Sequence, residues 1–319
     1  MTSSNTVMTV QRFGIHLPTT ASSKFDRTKD LAVLAEKLGY DSIWVADHLL
    51  GDAKLTGGPR GSGIYEPLIT LGALTSVTSK VKLGTAVLLP LRHPVVTASM
   101  VSTLDHASGG RIILGLGVGW NKLEFNAMNV PFESRGKLVD ESIATLIDLW
   151  TKPNVRLNGE YFKMDGVVMN PKPVQQPHPG IWVGGNGRAA IRRALHNGAA
   201  WIPTDYTTQE YKDGLKTLSQ ERNAIGKAQK NIIIASHLFM CIDTDPRKAR
   251  RKAEFLKAMT GETIRSIEKW AIIGTPAEVL DRITEYSKVG VSYHVFSFPA
   301  GTEEDDYALL MGEVISQIR

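Results

Sequence analysis

The chain contains a single cysteine, Cys241, among its 319 residues. An internal disulfide is therefore excluded, and no group of cysteine and histidine has the spacing of a zinc site. No segment approaches the ~20 consecutive apolar residues that cross a membrane. Residues 1–11 lack the basic start and the continuous apolar stretch of a signal peptide. We therefore expect a cytoplasmic protein with no bound metal and no membrane partner.

The chain also lacks a large excess of charge of either sign. It has 37 lysines and arginines against 32 aspartates and glutamates, a net charge of +5, and the basic residues are dispersed among acidic ones. Nucleic acid is not an expected partner, because its binding needs clustered basic residues. The pI of about 9.1 is equally compatible with small anionic ligands. The sequence thus favours a protein that acts on small molecules.

Strand-like apolar runs recur along the chain, and each is followed by an amphipathic helical segment. The predicted strands are 13–17, 42–46, 82–89, 111–117, 180–183, 200–202, 232–240 and 292–298. Strands that alternate with helices form a parallel sheet with right-handed crossovers, so eight such units predict an α/β fold, the (β/α)8 TIM barrel. Barrels of this length are commonly one domain. We therefore expect a single domain over residues 1–319.

The regular alternation is interrupted at 154–173, where Asn-Gly and Asp-Gly turn signals separate alternating runs. This pattern predicts an inserted β-hairpin. Long connections also follow the second, fourth and seventh strands. We expect the inserted loops and the hairpin at the carboxyl-terminal face of the strands, where the active sites of such barrels lie.

The second predicted strand ends in the polar pair Asp47-His48. Histidine changes charge near neutral pH, and an adjacent carboxylate can orient it or raise its pKa. The pair is therefore a candidate acid/base group at the carboxyl end of a strand. The alternative is that Asp47 caps the following turn while His48 is an ordinary loop residue.

The fourth strand ends in a glycine-rich turn that runs from Gly115 to Trp120. Trp120 stands where a dinucleotide fingerprint would need its last glycine, so the turn is not that motif. Alternate glycines can instead leave one face of the strand bare for a flat ligand. The alternative is that they only make room in the narrow barrel interior.

A second turn, formed by Gly184, Gly185, Asn186 and Gly187, follows the fifth strand and opens a helix that starts at Arg188. Free amides at a helix start bind phosphate, and nearby arginines add positive charge. The looser Rossmann form G-x-G-x-x-A also fits at 185–190, but it lies late in the chain, whereas that fingerprint normally begins its unit. An ordinary turn with solvated arginines is the third possibility.

Four segments together resemble the bacterial-luciferase-like superfamily. They are Asp47-His48, the run 83–87, the segment 104–111 with the turn 115–120, and the segment 181–187. The resemblance extends from residue 13 to about residue 298, with its motifs in the same order. It is greater to the branch that uses the deazaflavin coenzyme F420 than to the FMN-dependent monooxygenases. It implies a barrel with the flavin-like ring across the strand ends and a phosphate tail near the fifth strand.

The resemblance also implies a cis peptide at Ala86–Val87 that bulges under the ring, and a homodimer built through the helices at 66–77 and 94–106. The cofactor contacts expected from it and from the phosphate turn are Asp47, Ala86, Val87, Val118, Gly119, Gly184, Gly185, Asn186, Gly187 and Arg188. One position departs from the family pattern. Glucose-6-phosphate dehydrogenases of the deazaflavin branch place a glutamate where this chain has Trp120. Trp120 therefore predicts an apolar or aromatic substrate, whose surface it can cover.

These features predict an F420-dependent oxidoreductase that transfers a hydride between the coenzyme and an organic substrate. His48 is the expected acid/base, and Asp47 is expected to orient it or to contact the ring. The alternative is an FMN-dependent monooxygenase that uses reduced flavin and oxygen. A barrel without catalysis, which only binds a flavin or a partner, is a third hypothesis that the presence of the acid/base pair and both glycine turns disfavours.

Overall fold

The computed structural model describes residues 10–20, 23–50, 63–225 and 231–319. The glycine-rich connection that the sequence predicts after the second strand, residues 51–63, lies outside the described residues except for Gly63. The strands are β1 (Arg12–His16), β2 (Ser42–Val45), β3 (Lys82–Thr85), β4 (Ile112–Leu116), β5 (Val155–Asn158), β6 (Lys163–Val167), β7 (Gly180–Gly184), β8 (Ala200–Ile202), β9 (Ile233–Ile242), β10 (Ile272–Gly274) and β11 (Tyr293–Ser297).

The helices cover the outside of these strands in the expected alternation. They are α1 (Phe25–Leu38), α2 (Pro67–Thr75), α3 (Pro94–Ser108), α4 (Lys122–Ala127), α5 (Arg135–Thr151), α6 (Arg188–Asn197), α7 (Thr208–Ile225), α8 (Pro246–Lys252), α9 (Glu254–Thr260), α10 (Ile264–Ile267), α11 (Pro276–Lys288) and α12 (Glu303–Glu313). In the part of the chain that the structure describes, no helix is long and apolar enough to cross a membrane.

The parallel strands close into a ring. Their order is β9, β11, β1, β2, β3, β4, β7 and β8, and β8 pairs back to β9 to complete the circle. This closed eight-stranded arrangement with helices between the strands confirms the predicted (β/α)8 barrel. The short strand β10 is not part of the ring and pairs with the carboxyl-terminal end of β9.

The third predicted strand ends earlier than the apolar pattern indicates. The third strand was predicted over 82–89, but β3 stops at Thr85, and the chain leaves the sheet at a cis peptide between Ala86 and Val87. The presence of that cis peptide confirms the expectation from the family resemblance. After β9 the chain forms the three short helices α8, α9 and α10, with Gly261 in a left-handed conformation after α9.

The inserted hairpin is present as β5 and β6. It follows α5 rather than a strand, and helices return the chain to the amino-terminal face of a barrel. The Glu141 carboxylate in the middle of α5 accepts the backbone amides of Glu160, Tyr161 and Phe162 at the hairpin turn. The hairpin therefore lies along the outside of the helices, and only its turn reaches the start of α3, where Phe162 contacts His93.

Aromatic side chains fill the interior of the barrel beneath the carboxyl ends of its strands. The ring centroids of Trp44 and Trp182 are 4.8 Å apart, and Trp182 contacts Tyr293 at the same distance. Gly14 and Gly84 make this possible, because a Cβ atom at either position would overlap the Trp44 ring. These aromatic side chains thus close the barrel interior, so that a site can lie only at the carboxyl ends of the strands.

Candidate active site at the carboxyl ends of the strands

Asp47 lies just past the end of β2 and is only 2% exposed. Its carboxylate accepts two hydrogen bonds from the Arg92 guanidinium, at 2.7 and 3.0 Å, and a third from the backbone amide of Leu89 at 2.8 Å. Arg92 also donates to Glu66. Asp47 therefore anchors the loop that follows β3. The alternative that it orients His48 through a hydrogen bond is wrong, because all of its described partners lie elsewhere.

The partner of His48 is Glu124, a residue of α4 that sequence reasoning missed. His48 Nδ1 lies 2.9 Å from Glu124 Oε2, and the Glu124 side chain is fully buried. Burial alone would raise the pKa of Glu124, but the hydrogen bond and charge of His48 and the amides of Leu50 and Leu49 hold it below its usual value. A carboxylate can only accept, so Nδ1 carries the proton of this bond and Nε2 is left for a ligand.

Trp120 stands beside this pair at the rim of the barrel. It is 53% exposed, and its ring meets the His48 ring edge to face, with centroids 5.5 Å apart. Leu123 and Leu50 are also exposed apolar residues on the segments that carry Glu124 and His48. The acid/base candidate thus lies in a partly apolar rim, as the predicted substrate-binding role of Trp120 requires.

The interpretation of the alternate glycines as a bare ligand surface is wrong. A Cβ atom at Gly117 or Gly184 would overlap the side chain of Val87, and one at Gly115 would overlap the backbone oxygen of Thr85. The glycines therefore make room in the barrel interior, which was the alternative explanation. They seat the Val87 side chain against the ends of β4 and β7. A flat ligand would consequently rest on Val87 and not on the glycines.

The next predicted contacts, Val118 and Gly119, line the same turn from its outer side. Val118 is half-buried and packs against the hydrophobic core. Gly119 lies over Phe125 of α4, whose ring would be 2.8 Å from a Cβ atom at this position. This close approach fixes the turn against α4 and thereby sets the position of Glu124.

The predicted phosphate turn joins β7 to α6. Gly185 has φ +125°, a conformation that only glycine adopts easily, and its carbonyl accepts the indole N–H of Trp201 at 2.8 Å. The side chain of Asn186 donates to the Thr204 carbonyl and accepts its amide, at 2.9 and 3.1 Å. Asn186 therefore braces the turn with its side chain. A Cβ atom at Gly187 would meet nothing within 4 Å, so the helix start is open.

The arginines of α6 are paired with carboxylates. Glu221 of α7 accepts from Arg188 and, at 3.2 Å, lies beside Arg192, while the buried Arg193 is bound by Asp140. Arg188 still keeps its side chain 74% exposed at the helix start. The first amides of a helix have no partner within the helix, so these amides and Arg188 can together receive an anion.

The sequence held only a misleading signal for Glu124. Asn121 caps α4, and a glutamate at the third helical position after such a cap normally bonds back to the cap backbone. In the structure the Glu124 carboxylate turns instead toward His48. The buried ion pair of Arg92 and the histidines His16 and His237 at the barrel mouth were also missed. Among the described residues, no group of acidic, histidine and cysteine side chains could hold a metal ion.

A sequence model of the luciferase-like monooxygenases matches residues 6–264 of the chain. An F420-dependent glucose-6-phosphate dehydrogenase of Nakamurella multipartita is 30% identical over 317 residues, which cover 90% of each protein. An FMNH(2)-dependent dimethylsulfone monooxygenase of Pseudomonas putida is 25% identical, over 88% of this chain and 85% of that enzyme. Both cofactor types therefore occur among the relatives.

The structure is also similar to that of an F420-dependent secondary alcohol dehydrogenase, solved in complex with an F420-acetone adduct. The TM-score is 0.85 at 18% sequence identity, over 97% of this chain and 99% of that one. At this identity the likeness concerns the fold alone. It agrees with the closed barrel described above.

Proposed function

Because the chain belongs to the luciferase-like monooxygenase family, we propose that residues 1–319 form a single-domain oxidoreductase that uses the deazaflavin coenzyme F420 and an apolar or aromatic organic substrate. The observation that carries the proposal is the pair of His48 and Glu124, with His48 Nδ1 2.9 Å from a fully buried carboxylate. An imidazole held in this way at the mouth of a barrel is suited to proton transfer.

The residues around the mouth suit a flavin-type cofactor. Val87, seated on the glycines of β4 and β7, offers an apolar support for a ring, and the open start of α6 offers amides for a phosphate. Arg188 adds an exposed positive charge there. When bound, a deazaflavin supplies or accepts a hydride at a carbon of the substrate. The alternative is an FMN-dependent monooxygenase, which the relative in Pseudomonas putida supports.

The side chains of this protein would divide the remaining work. Glu124 accepts the hydrogen bond from His48 Nδ1 and fixes the ring, so that Nε2 can give a proton to, or take one from, the substrate. Asp47 acts through Leu89 and Arg92: it ties the loop that carries Ala86 and Val87 to the end of β2. Trp120 would cover the apolar part of the substrate.

Binding titrations with F420 and with FMN test the cofactor, followed by measurement of oxygen uptake with the reduced forms. We expect F420 to bind and no oxygen to be consumed. If only FMN binds and oxygen is consumed, the chain is the monooxygenase and the first proposal is wrong. If neither binds, a flavin-type cofactor is excluded.

Replacing Gly187 with aspartate tests the phosphate position. Aspartate is a favourable residue at the start of a helix, and a Cβ atom at Gly187 meets open space, so folding should be preserved. Its carboxylate would occupy the amides and repel a phosphate. We expect cofactor affinity to fall by about 10–100-fold, the equivalent of one charge-assisted interaction. Gly312→Asp, with the same change at an open position on α12, should bind normally. Equal affinities would move the phosphate site elsewhere.

A homodimer through α2 and α3 is the proposed assembly. Four of the leucines on these two helices, Leu68, Leu71, Leu74 and Leu104, are buried within the chain. What remains exposed is Ile69 at 65%, Val96 at 52% and Val77 at 37%. Ile69 and Val96 lie on the neighbouring helices α2 and α3, and Val77 lies in the turn after α2. Together they offer a small apolar face that a second copy could cover.

Sedimentation at micromolar concentration should give about twice the chain mass of 34.9 kDa. Val96→Glu places a charge in the face without touching the barrel core and should shift the protein toward the monomer. Lys137→Glu, a charge change on exposed α5, serves as its control. A wild-type species near 34.9 kDa would refute the dimer.

A further inference from the structure

Two histidines that the proposed function leaves unused meet at the barrel mouth. His16 is the last residue of β1, and His237 lies on β9; both strands flank β11 in the sheet. Their rings stack with centroids 4.9 Å apart. His237 Nε2 lies 2.8 Å from the hydroxyl of Ser297, the last residue of β11. The two rings thus bring the carboxyl ends of β1 and β11 together with the middle of β9.

The pair faces the interior of the barrel. Side chains along a strand alternate between its faces, so Ser297 points the same way as Tyr293, which contacts Trp44 and Trp182 inside the barrel. In the closed order of strands, β1 lies opposite β7 and β11 lies opposite β4. His16 and His237 therefore lie across the carboxyl-terminal opening of the barrel from Val87. A substrate that faces a flavin-type ring resting on Val87 would lie on the side of the two histidines.

This side of the mouth is accessible. Along β9, His237 and Phe239 are partly exposed, whereas their neighbours Ser236, Leu238 and Met240 are buried. Phe239 packs against Trp270 and gives the wall an aromatic surface. The residue His16 is also partly exposed, but its Nε2 atom is enclosed and has no hydrogen-bond partner among the described residues. A buried polar atom without a partner is uncommon, and rotation about the broad χ2 torsion can bring it to a ligand.

The pair is electrically neutral at ordinary pH. Burial, together with His237, lowers the pKa of His16 to about 3, and burial lowers the pKa of His237 to about 4. A carboxylate or phosphate taken from water needs a charged partner, which neutral imidazoles do not provide. A neutral imidazole instead pairs well with a carbonyl or hydroxyl oxygen.

We propose that His16 and His237 form a subsite for the neutral oxygen of the substrate, a ketone carbonyl or an alcohol hydroxyl, with His16 Nε2 as its hydrogen-bond partner and Phe239 against its apolar part. The subsite deepens the proposed function, since it rests on the mouth being the place where substrate binds. It makes His16 a positioning residue that selects uncharged oxygen-bearing compounds. Sugar phosphates are rejected at this subsite.

The probe is cyclohexanone, compared with methylenecyclohexane, a hydrocarbon of the same shape without the oxygen. Both are titrated into cofactor-free protein labelled with ¹⁵N at histidine, and the imidazole nitrogens are followed by NMR. We expect the Nε2 signal of His16 to move with the ketone and to remain in place with the hydrocarbon. The ketone should bind His16→Phe about five- to tenfold more weakly than wild type, as the loss of one hydrogen bond predicts. Phenylalanine keeps a ring against His237.

His106→Phe serves as the matched control, because His106 lies on exposed α3 and bonds the Lys172 carbonyl away from the mouth. Its ketone affinity should equal that of wild type. Absence of a ketone-specific shift at His16, or equal affinity in His16→Phe and wild type, would overturn the subsite. The NMR shift of His16 is measured on the wild-type protein, so it still tests the subsite if His16→Phe misfolds. Because the cofactor is omitted, failure of F420 or FMN to bind is a separate result that concerns only the proposed function.

Discussion

Replacement of His48 by alanine is expected to lower kcat by about 10²–10⁴-fold with little change in cofactor affinity, the usual loss when a positioned acid/base group is removed. Glu124→Gln should also lower kcat, because the amide keeps the shape of the side chain but loses the charge that holds His48 Nδ1. The measurement is steady-state turnover with an accepted substrate, alongside cofactor titration of each variant.

The double variant distinguishes a shared role from two separate ones. If Glu124 acts only through His48, the combined His48→Ala and Glu124→Gln protein should be no slower than His48→Ala alone, since the two residues work as one unit. His106→Ala, at the far end of α3, should retain wild-type turnover and controls for a general effect of losing a histidine. Unchanged kcat in His48→Ala would remove His48 from the chemistry.

Substitution of Asp47 by alanine should have the largest effect on stability. The carboxylate is buried and binds Arg92, whose side chain is only 11% exposed, together with the Leu89 amide. Its removal leaves a largely buried guanidinium with Glu66 as its remaining carboxylate partner. Breaking a buried pair in this way costs about 3–5 kcal/mol of unfolding free energy. Denaturant unfolding of the purified variant, with wild type measured in parallel, gives this difference.

A matched surface pair provides the control for Asp47. Lys137 and Glu160 are both well exposed and lie 3.5 Å apart, so Glu160→Ala should change stability by no more than about 1 kcal/mol. Asp47→Ala within that same margin would show that the Arg92 pair does not hold the loop after β3. The variant should also leave the hydrogen bond between His48 and Glu124 in place, since the Asp47 carboxylate binds Arg92 and Leu89 instead.

The local pattern of the sequence was sufficient for the regular elements. The predicted strand 200–202 is β8, and the predicted helix start at Arg188 is that of α6. Their capping residues and apolar periodicity act over one or two turns of chain, within reach of sequence reasoning. The local pattern does not predict the early end of β3, because the apolar run continues through 86–89. In the structure Val87 leaves the sheet and packs against glycines of β4 and β7.

In the candidate site too, the sequence located some residues but did not predict their contacts. The sequence located Asp47 and His48 at the end of a strand, because a buried strand that stops in polar residues is a local signal. It assigned them to each other because they are adjacent. In the structure Asp47 binds Arg92, 45 positions away, and His48 binds Glu124, 76 positions away. The hairpin likewise follows from its turn residues, whereas its contact with Glu141 of α5 is decided only by the fold.

What the sequence by itself determined is therefore the barrel, the order of its strands, the strand end that carries His48 and the turn that opens α6, since each follows from burial periodicity and turn chemistry along a short stretch of chain. Only the tertiary structure decided which side chains meet: Glu124 with His48, Val87 with the glycines, and His16 with His237. Closure of the barrel brings the ends of distant strands together, and spacing along the chain carries no record of those contacts.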